Sequence, residues 1–96
     1  MTSKQRAYLK SLAMNEDTIM NIGKSSLTPE ICTAVEEALD KRELVKIGVL
    51  KNCIDDPRAI AEAMAERTRS QVVQVIGKKI VLYKPCKKDP KIVLPK

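Results

Sequence analysis

The residues best equipped for chemistry lie in one short stretch, Gly23-Lys24-Ser25-Ser26, followed by Thr28 and Pro29. Glycine lets a backbone come close to a ligand, Lys24 supplies a full positive charge, and the two serine hydroxyls can donate hydrogen bonds. Thr28 is a good N-cap and Pro29 suits a first helical position, so the stretch runs into a helix start whose N–H groups and dipole favour an anion. Such a loop suits a phosphodiester. It is not a nucleotide-hydrolysing P-loop, because the Walker pattern needs a glycine where Thr18 stands. The plain alternative is a turn glycine among polar loop residues.

A second group of lysines depends on how strands are arranged. Ile22-Gly23-Lys24 closes one candidate strand, Ile76-Gly77-Lys78 closes another, and Lys51 follows a third. If these strands run parallel, Lys24, Lys51, Lys78 and Lys79 share the carboxyl rim of the sheet, where open α/β sheets bind ligands. The competing explanation is that lysines at strand ends serve solubility. The charge distribution favours a polyanion: residues 77–96 hold seven lysines and one acid, while the rest of the chain holds 11 basic and 11 acidic residues.

Composition excludes more than it selects. The 96 residues include no histidine, which removes the imidazole base, the Ser-His-Asp and Cys-His pairs, and any histidine metal ligand. A protein that is not an enzyme and carries no cofactor or metal is expected. Cys32, Cys53 and Cys86 form no CxxC and are odd in number, so they read as reduced thiols. No apolar run is long enough to span a membrane and the first ten residues are charged, so a soluble, cytoplasmic protein with no membrane association is expected. With no Phe or Trp and only Tyr8 and Tyr83, no platform exists for stacking several bases. Tyr8 reads as a core residue; Tyr83 could stack one base or pack across strands.

The elements that must position these residues follow from periodicity and caps. A first helix starts after Thr2 or Ser3 and runs to about Met14, with Tyr8, Leu9, Leu12 and Ala13 in one stripe lying on a sheet. A short strand over 18–22 leads into the loop, and a helix over 29–41 follows, with Ile31, Ala34, Val35, Ala38 and Leu39 at helical spacing. Residues 44–50 alternate as a strand, placing Val45, Ile47 and Val49 on one face. Asp55 or Asp56 caps a third helix, with Pro57 early in it and Met64 in its core stripe, ending near Arg69. Strands over 72–76 and 79–83, separated by Gly77-Lys78, must form an antiparallel hairpin. Earlier strands alternate with helices, which favours parallel pairing. The order is αβαβαββ, an α/β domain of the two-layer α+β kind with a four-stranded mixed sheet over residues 1–85. Residues 86–96 form a basic tail whose Ile92-Val93-Leu94 could dock on the domain, add a strand to a partner, or stay mobile.

Several ordered motifs carry a resemblance. Lys4-Gln5-Arg6-Ala7-Tyr8-Leu9-Lys10, Ile22-Gly23-Lys24-Ser25-Ser26-Leu27-Thr28, Glu43-Leu44-Val45-Lys46, and Val73-Gln74-Val75-Ile76-Gly77-Lys78 with Ile80-Val81-Leu82-Tyr83 together resemble the YhbY family, a stand-alone bacterial CRM domain, over about residues 2–85. The resemblance implies an RNA-binding domain with the fold of the C-terminal domain of translation initiation factor three, associated with precursors of the large ribosomal subunit. The family's GxxG RNA-contacting loop falls on Gly23 to Ser26, and here Ser26 replaces the second glycine. A serine still donates its backbone N–H, but its Cβ stands between backbone and phosphate.

The expected function is therefore RNA binding, with ribosomal RNA of the large-subunit precursor as partner and a monomeric protein. The contact set is Gly23, Lys24, Ser25, Ser26, Thr28, Lys51, Lys78, Lys79 and Lys84, extended by the tail lysines 87, 88 and 91. Two other readings compete. In one, the chain is a protein-interaction module that docks through its tail; in the other, it binds nucleic acid without preference.

Overall fold

The computed structural model describes residues 2–24, 27–85 and 92. Three helices and four strands follow the order α1 (Ser3–Ala13), β1 (Met20–Ile22), α2 (Pro29–Arg42), β2 (Leu44–Val49), α3 (Pro57–Thr68), β3 (Gln71–Ile76) and β4 (Lys79–Tyr83). This is the α+β fold with a four-stranded mixed sheet expected from the sequence. Helix starts sit where side-chain chemistry places them. Thr2 and Gln5 form a reciprocal capping box on α1, and Thr28 caps α2 with Pro29 at its first turn. Asp56 caps α3 without a side-chain hydrogen bond.

The sheet order is β1-β2-β4-β3. β1 pairs parallel with β2, and β4 pairs antiparallel with both β2 and β3. Hence β1, β2 and β3 all point the same way, as the alternation of helices and strands suggests, yet β3 pairs with β4 rather than β2. Side chains explain the exchange. Ile80, Val81 and Leu82 of β4 are fully buried, which suits a central strand, whereas β3 carries Gln71 and Gln74 and suits an edge.

Both faces of the sheet are covered, which modifies the expected two layers. On one face α2 and α3 pack Val35, Leu39, Ile60 and Met64 against Val45, Ile47, Ile80 and Leu82. On the other, α1 forms a partial third layer, with Leu9 and Ala13 against Leu44, Val73, Val81 and Tyr83. The consecutive apolar runs Leu44-Val45 and Ile80 to Tyr83 require cover on both sides, because neighbouring strand residues face opposite ways. α1 is also tied to the edge strand. Arg6 Nη1 donates to the carbonyls of Val72 at 2.7 Å and Val73 at 2.9 Å, where β3 shifts register between Val72 and Gln74.

Tyr8 departs from expectation. It is 38% exposed, because the buried line of α1 runs through Leu9 and Ala13, four residues apart, and leaves Tyr8 beside it. Tyr83 is 3% exposed and packs with α1, so it serves packing rather than base stacking. Of the tail, Ile92 packs against this same cluster and its N–H donates to Glu43 Oε1 at 3.3 Å. Val93 and Leu94, like lysines 87, 88 and 91, lie outside the described residues.

Candidate nucleic-acid interface

Shared strand direction brings three connections to one rim. The turn after β1 holds Gly23 and Lys24, the turn after β2 holds Lys51, and the β3–β4 hairpin holds Lys78 and Lys79. Backbone hydrogen bonds fasten them together: Leu50 N–H donates to Ile22 at 2.8 Å and Val49 N–H to Lys78 at 2.7 Å. Lys24, Lys51, Lys78 and Lys79 are all exposed, and among the described residues none of the four makes an ion pair. Four unneutralised ammonium groups on one rim form a surface suited to several phosphates.

The start of α2 contributes less than its sequence suggests. Pro29 has no N–H, Thr28 Oγ1 accepts the N–H of Ile31 at 3.2 Å, and Thr28 carbonyl accepts that of Cys32 at 3.0 Å. Glu30 is the remaining first-turn donor, and its carboxylate opposes an anion. Thr28 thus shapes the helix entry, its hydroxyl oxygen accepting the Ile31 N–H that a free helix end would offer an anion. Ser25 and Ser26 lie outside the described residues. Gly23 keeps out of the left-handed region, and a Cβ there would meet only ordinary contacts at 3.5 Å from Leu50 and 3.6 Å from Asn52. Nothing inside the domain demands glycine at this position.

Lys84 does not join this rim. It follows β4, which runs opposite to the other strands, and its Nζ lies 4.0 Å from Asp40 Oδ1 at the far end of the sheet. The antiparallel hairpin already implied that separation. The far end also holds Glu43, fully buried, whose carbonyl accepts the Lys84 N–H at 2.8 Å. Burial first, and then the Glu43 charge, push the Tyr83 hydroxyl above its ordinary value.

No helix among the described residues is long and apolar enough to cross a membrane. Among them, too, no cluster of three or more metal-ligating side chains occurs, and Cys32 and Cys53 are free thiols. The CRS1/YhbY (CRM) domain pattern matches residues 1–84. The chain belongs to the CRM family. This CRM domain is 42% identical to the probable RNA-binding protein YqeI of Bacillus subtilis, with 99% of each chain covered. It is 32% identical to an RNA-binding protein of Haemophilus influenzae, covering 100% of this chain and 96% of the other. The solution structure of the hypothetical protein SAV1595 from Staphylococcus aureus, a candidate RNA-binding protein, superposes with a TM-score of 0.83 at 44% identity over 99% of both chains.

Sequence reading missed two basic residues of this CRM domain. Lys46 lies on the α1 face of β2, and Arg58, in the first turn of α3, stands beside Val75 and Ile76 at the β3 edge. Lys46 alternates with Val45 and Ile47, which pointed to its face; Arg58 becomes legible only when β3 is known to be the edge strand.

Proposed function

We propose that this CRM domain is an RNA-binding protein that grips structured ribosomal RNA by its phosphates during assembly of the large ribosomal subunit. Gathering of Lys24, Lys51, Lys78 and Lys79 on one rim carries the reading. Family membership and the names of the relatives support RNA as the polyanion; the ribosomal role extends the resemblance described above. Lys24 and the N–H groups of the loop Gly23 to Ser26 anchor one phosphate, and Gly23, free of any internal requirement, lets it approach. Lys51, Lys78 and Lys79 extend the footprint, with Thr28 holding the loop to α2. The protein works as a monomer in the cytoplasm, without cofactor or catalytic step.

The test is a salt series of binding to fragments of large-subunit ribosomal RNA, compared with duplex DNA of equal length. Lys24→Ala weakens RNA binding and lowers the slope of log K against log salt by about 0.7 to 0.9, the value for one phosphate contact. An unchanged slope removes Lys24 from the contact set, and equal affinity for duplex DNA replaces the ribosomal reading with non-specific binding.

A further inference from the structure

We infer that the part of the sheet left open beyond α1 is a second RNA-contacting surface, one that receives unpaired nucleotides of the RNA held at the lysine rim. The inference rests on the proposed RNA binding and adds to it a site and a preference. α1 ends at Ala13 and covers Leu44, Val73, Val81 and Tyr83. Toward the rim the same face continues without a helix, and a recess opens there among Met14, Lys46, Gln74, Ile76 and Val81.

Its chemistry is mixed in a way that fits a nucleotide with an uncovered base. Met14 is 81% exposed and Ile76 58%, so two apolar side chains stand in solvent with no core to join. Beside them Lys46 makes no ion pair among the described residues. Lys79 leans across the same face, its Nζ 3.4 Å from where a Cβ on Gly48 would stand, and the Asn21 carboxamide lies over the same spot. Gly48 therefore keeps this part of the floor at backbone height. Lysines meet phosphates, apolar side chains meet base faces, and the amides of Asn21 and Gln74 can bond base edges.

A duplex hides its base faces in the stack and offers this recess only phosphates, so the occupant is unpaired. Without aromatic side chains the recess holds a nucleotide or two rather than a stacked run. Among the described residues no carboxylate lines it; Glu16 and Asp17 stand in the α1–β1 connection. Lysines on both sides oppose pairing with a second copy of this face. Continuity is physical, because Lys79 belongs both to the rim and to this surface.

The experiment measures binding of two labelled RNAs, a hairpin with an unpaired purine loop and a fully paired duplex of the same total charge. The proteins compared are the unaltered chain, Lys46→Gln, Met14→Gln and, as a rim control, Lys24→Ala. Met14 is solvent-exposed, so its variant keeps the fold, and circular dichroism verifies both surface variants. The inference expects Met14→Gln to weaken hairpin binding at least about threefold and to leave duplex binding within about twofold, and Lys46→Gln to weaken hairpin binding more than duplex binding, because the Lys46 ammonium also meets the phosphates a duplex offers whereas Met14 meets only an uncovered base. Hairpin affinity unchanged in both variants overturns it. Equal loss on hairpin and duplex also overturns it, by reducing the surface to a general field of charge. If Lys24→Ala alone weakens both RNAs, the rim reading stands without this one; if the unaltered chain binds neither RNA, both fall.

Discussion

At the scale of single residues, the far end of the sheet stores a pH dependence. Tyr83 is buried beside the buried Glu43, and both burial and that negative charge favour the neutral phenol. In the unfolded chain the hydroxyl ionises near its ordinary value of 10.0. The folded state holds its proton to higher pH, so the stability it contributes is whole below pH 10.0 and is lost as pH rises from there through the raised folded value. Tyr83→Phe removes the ionisable group and should flatten the alkaline limb of stability, measured by urea unfolding between about pH 9 and 11. A limb of unchanged steepness would show that lysine deprotonation alone governs alkaline loss. At this scale, too, Thr28 shows why the sequence was only partly legible. Its capping role could be read from Thr28-Pro29, but a cap uses up the donor that a free helix end would have offered a phosphate.

At the scale of elements, one side chain ties the edge strand to α1. Arg6 bridges α1 to the carbonyls of Val72 and Val73 where β3 changes register. Arg6→Met keeps the aliphatic reach and removes the charged donor, and should cost about 2 kcal/mol. Hydrogen exchange should rise most at the amides of β3, and uniform exchange across the sheet would contradict this local role. The elements themselves were legible because their signals are local: Thr28-Pro29 and Asp56-Pro57 start helices, and Gly77-Lys78 between two apolar runs closes a hairpin. The pairing of β4 between β2 and β3 was less so, since strand order is decided by competing burial across the whole sheet. α1's side of the sheet was written in the unbroken apolar run Ile80 to Tyr83, a pattern that strict alternation obscures. Lys84 could have been placed from the hairpin alone, whereas Lys46 and Asn21 gain meaning only when the length of α1 is known.

At the scale of the whole molecule, the lysine rim and Ile92 lie at opposite ends of the sheet. The lysine rim lies where β1, β2 and β3 finish, while Ile92 is held by Glu43 and the α1 cluster near the end of β4. Truncation after Pro85 removes four lysines and one aspartate. An RNA short enough to cover the rim alone should bind the full and shortened chains equally. A longer RNA that reaches the far end should lose salt-sensitive affinity, its slope falling by about 0.7 for each phosphate released. Loss on the short RNA as well would place the tail at the rim.

The sheet order bears on how the protein is made. β4, the last of the described strands to leave the ribosome, is the one that lies between β2 and β3. Until it arrives, the nascent chain holds two unpaired strand edges and cannot bury Val45 and Ile47 against Ile80 and Leu82. The domain therefore closes in one late event, and a message cut short before Lys79 encodes a sticky, protease-sensitive chain rather than a smaller working domain.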